Sequence, residues 1–168
     1  MPTPSVLSAE QCEFVASART AILATTTASG RPRLVPICFV LDGDVVVSPL
    51  DEKPKIVENP RSLARVRDIR AQPRIDLLVH RWDEDWSRLG WVRLQGSATL
   101  LEPGDAEHDA AIVPLRSKYP QYATQAIDRR PMIRIQLADA AAWGDLDAGD
   151  AEPDAARDRR RSAGPSPS

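Results

Sequence analysis

Lys53 and Lys55 stand two residues apart, separated by Pro54, at the end of the stretch Ser48-Pro49-Leu50-Asp51-Glu52. A strand-like run, Asp44 to Val47, leads into them and an arginine-rich helical segment follows. Lysines so placed present point charges to a phosphate, while the Ser48 hydroxyl and nearby backbone N–H groups donate to its remaining oxygens. The plain alternative is a charged surface turn. The neighbourhood favours the anion site: from Lys53 to Arg74, seven basic residues (Lys53, Lys55, Arg61, Arg65, Arg67, Arg70 and Arg74) face two acids, Glu58 and Asp68. That is a local excess of +5 in a chain of net charge −2, which suits an anionic ligand.

Other reactive arrangements are missing. His80 and His108 lie 28 residues apart, outside any H-x-x-x-H or H-E-x-x-H pattern, so no metal site is expected. Cys12 and Cys38 lack C-x-x-C spacing and read as free buried thiols. There is no G-x-S-x-G, no G-x-x-x-x-G-K-[ST] and no G-x-G-x-x-G. Asp83, Glu84 and Asp85 are adjacent on a connection and read as a solvated loop. No catalytic residue is assigned; if the chain is an enzyme, a bound cofactor carries the reactivity and the protein supplies binding and orientation.

The elements that must position these groups follow in order. Ser8-Ala9-Glu10-Gln11 has the form of a capping box opening a first helix that ends near Arg19. Thr20 to Thr27 and Arg33 to Leu41 read as a hairpin, with Pro36 favouring an edge, bulge or ligand-facing position. A D-G turn at Asp42-Gly43-Asp44 starts a third strand at Val45. Asn59-Pro60 reads as the cap and first residue of a helix buried on Leu63, Val66 and Ile69, with Arg65, Arg67 and Arg70 on its solvated faces. Further strands are expected at Arg74 to Trp82, Trp91 to Leu101 (Gly96 marking a bulge or close backbone approach) and Pro131 to Leu137. Asp105 to Tyr119 reads as a helix bent or interrupted by Pro114.

With 168 residues, 42% hydrophobic and 27% charged, the chain fits one domain, 1–146, followed by a disordered tail, 147–168, dominated by Ala, Asp, Arg, Gly, Pro and Ser. Its Arg159-Arg160-Arg161 run is flanked by acids and reads as neutral overall. The longest apolar stretch, Leu34 to Leu41, is eight residues, far short of a bilayer span, and no secretory signal is visible at the start. A cytoplasmic location without membrane association is the expectation. The net acidity and the lack of stacking aromatics among the basic residues argue against nucleic acid.

Taken together, the hairpin, S-P-L-D-E-K-P-K, the arginine-bearing helix ending in proline, and D-E-D-W-S-R-L followed by W-V-R-x-x-G resemble the split β-barrel flavin-binding superfamily of pyridoxamine 5'-phosphate oxidase. Within it they resemble the actinobacterial branch of probable F420-dependent oxidoreductases. The resemblance spans about residues 5 to 145 and implies a mainly β fold, a six-stranded antiparallel split barrel with flanking helices. It also implies a homodimer with cofactor sites at its interface. Lys53 and Lys55, with Ser48, would hold the cofactor phosphate. Val35, Pro36 and Ile37, with Thr25 on the neighbouring strand, would line the ring system. Trp91 and Arg93 would approach from the partner subunit, and Trp86 and Arg88 would close over the site. Gly90, His80 and Arg81 depart from the pattern and stand as candidates for the substrate side.

Three functions follow. A reductase using coenzyme F420, whose phosphodiester and glutamate chain carry more negative charge than FMN, suits the basic track and would pass a hydride to a small organic molecule. An FMN-dependent reductase or oxidase needs fewer cations. A non-catalytic carrier of a flavin, deazaflavin or tetrapyrrole fits the lack of a catalytic acid. Tyr119 and Tyr122 read first as packing residues and only then as proton donors.

Overall fold

The computed structural model describes residues 5–50 and 59–147. The Ser8 hydroxyl accepts from the Gln11 N–H while the Gln11 side chain accepts from the Ser8 N–H, so the capping box closes and α1 (Ala9–Ser17) starts there, burying Phe14 and Val15. β1 (Ala21–Thr26) and β2 (Pro32–Ile37) form the expected hairpin.

The return strand expected over Arg33 to Leu41 is two strands. β2 stops at Ile37, and β3 (Val40–Asp42) pairs instead with β4 (Val45–Pro49). Among the described residues the count is therefore seven strands, in the order β2-β1-β5-β6-β7-β4-β3, where β5 is Arg74–Arg81, β6 Gly90–Leu101 and β7 Met132–Gly144. The sheet's two end strands are consecutive in the chain, joined by Cys38 and Phe39 alone, so the sheet must curl until its edges meet. Tyr119 holds the break open. Its buried hydroxyl accepts from the Phe39 N–H (3.0 Å) and lies within donating distance of the Phe39 (2.9 Å) and Arg19 (2.8 Å) carbonyls. Those backbone groups thus have a partner outside any ladder. Pro36 lies on an edge strand, where a missing N–H breaks no ladder.

Inward-facing residues of alternate strand positions, among them Leu23, Val46, Leu77, Leu94 and Ile135, fill the barrel. A second cluster, including Val40, Leu115, Tyr119 and Met132, seals α3 (Ala106–Lys118) against one side. Pro114 is accommodated inside α3. Asn59 caps a 3-10 turn, Pro60–Ser62, and α2 (Ala64–Ala71) begins four residues later than expected, burying Val66 and Ile69. β7 runs seven residues past its expected end, its Ala-rich second half held by pairing with β6. The β6–β7 register shifts between Gln95 and Gly96, and a Cβ at Gly96 would collide with the Gln136 carbonyl, so both expectations for Gly96 are met. Both cysteines are free thiols, half-buried rather than fully buried. Among the described residues, no helix is long and apolar enough to cross a membrane, and no cluster of His, Cys, Asp or Glu is placed to hold a metal.

Candidate functional site

The basic segment is organised by one acid. Asp68, the sole acid of α2, faces inward and is buried. Its Oδ2 accepts from the Thr25 hydroxyl (2.9 Å) and from Arg33 Nε (2.7 Å). Thr25 is only 2% exposed, whereas the Arg33 side chain stays nearly half in solvent. Arg67 and Arg70 are exposed on α2 and Arg65 is half-buried. The helix thus keeps its negative charge inside and turns Arg67 and Arg70 outward, while Arg65, expected on a solvated face, is half-buried. Arg70 also lines a hollow of about 370 Å³ with Thr99 and Leu100 of β6. Nothing local in the sequence marks Arg33, because a pairing of residues 35 positions apart leaves no local pattern.

The other candidate residues lie on and around β2 and β6. Val35 and Ile37 alternate with Pro36: Ile37 is buried opposite Ala21, Val35 is half-buried opposite Leu23, and Pro36 is exposed on the outer face. Ser48 is buried in β4, opposite Ile133 of β7. Lys53 and Lys55 lie outside the described residues, as does the tail from 148 onward.

Trp91 and Arg93 project from the outer face of β6, and the register gives them neighbours. One row across the sheet reads Pro36, Ile22, Leu78, Arg93 and Ala141, and another reads His80, Trp91 and Trp143. Pro36 and Arg93 share a face but stand three strands apart, roughly 14 Å at ordinary strand spacing. This outer face carries exposed Leu34 (67%), Leu78 and Trp143 (56%), an apolar area unusual for a free sheet surface.

Trp86 and Arg88 sit in a 3-10 turn between β5 and β6. Asp85 caps that turn through Ser87, whose hydroxyl (2.7 Å) and N–H (3.0 Å) hold the carboxyl below its ordinary range. Trp86 is 73% exposed, and Arg88 Nε lies 3.5 Å from Asp83. Arg81 has a structural role: its guanidinium donates to the Arg88, Asp145 and Asp147 carbonyls, pinning this turn to the segment after β7. Gly90 faces the Asp145 backbone so closely that a Cβ would overlap its carbonyl. Backbone crossing therefore accounts for the glycine, and His80 alone of the three is exposed. Tyr119 and Tyr122 are both buried, with ring centroids 5.4 Å apart.

A seven-stranded antiparallel sheet rolled into a split barrel and carrying an arginine-faced helix defines a flavin-binding class of fold. The chain belongs to the pyridoxamine 5'-phosphate oxidase family, whose model matches residues 7–144. Among solved structures it is similar to the conserved hypothetical protein Rv2991 of Mycobacterium tuberculosis, with 23% identity, TM-score 0.65 and coverage of 86% of this chain and 89% of that one. It is also similar to the heme storage protein HutZ of Vibrio cholerae (14%, TM-score 0.60, 79% and 89%). A FAD-binding protein of Mesorhizobium loti shares the fold as well (21%, TM-score 0.57, 81% and 94%). No curated protein sequence matches the chain.

Proposed function

We propose that the chain is an oxidoreductase that uses coenzyme F420 to pass a hydride to or from a small organic molecule, and that it works as a homodimer. The observation that carries this reading is the polarity of α2: its acid is buried against Thr25 and Arg33, leaving Arg67 and Arg70 facing out. A cationic strip of that kind suits a cofactor whose negative charge extends beyond one phosphate. Lys53 and Lys55 would hold the phosphate. Pro36 with Val35 would border the ring, and Trp91 and Arg93 on the outer face would serve the site of the second subunit. When bound, the deazaflavin supplies the hydride; the chain binds it, orients it and shields it from water. Membership of a flavin-binding family makes FMN the competing cofactor, and its single phosphate needs fewer of these cations.

Titration with F420 and, separately, with FMN, followed by quenching of Trp82, Trp86, Trp91 and Trp143, tests the reading. Micromolar or tighter F420 binding with weaker FMN binding is expected. Arg70→Glu should weaken F420 about 5-fold or more, as for the loss of an ion pair worth about 1 kcal/mol, and change FMN less. The reverse preference makes the protein an FMN enzyme. Tight binding without turnover of any substrate makes it a carrier, the role that the name of HutZ reports for a different ligand.

A further inference from the structure

A half-open groove of about 510 Å³ lies between α3 and the β3–β4 hairpin, within the range of small-ligand sites. Its floor is apolar, built from the buried Val40, Val47 and Ala111. One face of α3 forms the wall, with Glu107, Ala110, Ala111 and Pro114 following the three- and four-residue spacing of a helix.

The polar groups around the groove are almost all acceptors. Residue 114 is proline and has no N–H, so the Ala110 carbonyl, which would receive that N–H in an unbroken helix, lacks its donor. Both residues line the groove. Asp42 stands on the opposite rim, exposed, its backbone paired with Val45 and its carboxylate with no hydrogen-bond or ion-pair partner among the described residues. The one cation among the described lining residues, Arg134, is committed to the Glu107 carboxylate and to Gln136 Oε1 (3.0 Å). Two carboxylates against one guanidinium, together with a carbonyl short of a helical donor, leave the groove net negative and suited to a cationic N–H donor.

We propose that this groove is a binding site for an organic ammonium ion, an amine carried on a small apolar or aromatic body. The body would lie on Val40, Val47 and Ala111, and the ammonium would face Asp42 and the Ala110 carbonyl. The groove shares no residue with the proposed cofactor site, so it stands or falls independently of F420 or FMN binding.

Phenethylamine, cationic at pH 7, is the probe, with 2-phenylethanol as its uncharged counterpart. Titration of the full chain followed by amide 1H–15N shifts should move Val45, Ala110 and Ala111. The alcohol should bind at least about 5-fold more weakly, as should phenethylamine to Asp42→Asn, the factor expected for an ion pair worth about 1 kcal/mol. Pro114→Ala returns an N–H to the Ala110 carbonyl. It should weaken the ammonium while raising the melting temperature, since a proline is removed from a helix interior. A change confined to packing would not separate those two readouts. Absence of shifts in the groove, equal binding of alcohol and amine, or unchanged affinity in Asp42→Asn would each overturn the assignment.

Discussion

Lys118 shows how one side chain can work against the fold it belongs to. Its Nζ is buried without a hydrogen-bond partner among the described residues, 4.2 Å from the centroid of the Phe39 ring, at the point where the barrel is split. Burial, and secondarily the nearby Arg19, lower its pKa from the ordinary 10.5 to about 8. The sign follows from proton counts. Below about pH 8 both folded and unfolded chains carry the proton, and the cost of burying the charge is present in full. Between about 8 and 10.5 the unfolded chain binds more protons, so stability rises with pH across that window. Tyr119 limits the gain: burial raises its pKa above 10.0, so at higher pH the unfolded chain ionises first and stability falls again. Lys118→Met should therefore be more stable than wild type at pH 7, by on the order of 1 kcal/mol once the exposed half of the side chain is discounted. Urea unfolding at pH 7, 8, 9 and 10 should show the difference narrowing as pH rises; a constant difference would mean that the charge is not its cause.

The ties between elements were legible only in part, for a physical reason. Capping, turn chemistry and alternation are local, and they located α1, the β1–β2 hairpin, β5, β6 and the special role of Gly96. The break at Cys38 and Phe39 was invisible, because it depends on a tyrosine hydroxyl 80 residues away. The continuation of β7 through Ala138 to Gly144 was missed because alanine has little strand preference of its own and is held there by β6. At the candidate site, the basic character of Lys53 to Arg74 was readable, but the inward turn of Asp68 was not. That contact joins α2 to β1 and β2, and it makes a prediction at this scale. Arg33→Met leaves a buried carboxylate with the Thr25 hydroxyl as its remaining partner and should cost about 1–3 kcal/mol. Asp68→Asn alone should also destabilise the chain, since Arg33 loses its anion. Combined with Arg33→Met, it should recover part of the loss, because no uncompensated buried charge remains. A double-mutant cycle by denaturant unfolding measures the coupling; additive losses would show that the pair contributes nothing as a pair.

The molecule as a whole presents a sheet face that a lone barrel does not explain. Leu34, Pro36, Ile22, Leu78, Trp91, Ala141 and Trp143 lie on the outer surface of five adjacent strands, with Arg93, His80 and the Gln95–Asp76 hydrogen bond (2.9 Å) among them. Helices α2 and α3 bury their apolar sides elsewhere, against the barrel and the second cluster, so neither is available to cover this face. A second copy laid face to face would bury it by a two-fold arrangement, in which each outward residue meets its counterpart or a near neighbour. It would also carry Trp91 and Arg93 of one chain toward the β2 side of the other, which the separation of Arg93 from Pro36 within one chain does not achieve. Wild type should therefore run in light scattering at twice the 18.4 kDa chain mass, and its melting temperature should fall on dilution. Leu78→Arg, at the middle of the row and already beside Arg93, should give a folded monomer with an unchanged circular dichroism spectrum and cofactor affinity reduced at least about 10-fold, the loss expected when half of a shared site is removed. A monomeric Leu78→Arg that binds cofactor as wild type does would place the whole site within one chain. A wild-type monomer would leave the apolar face to some other partner and remove the argument for a shared site.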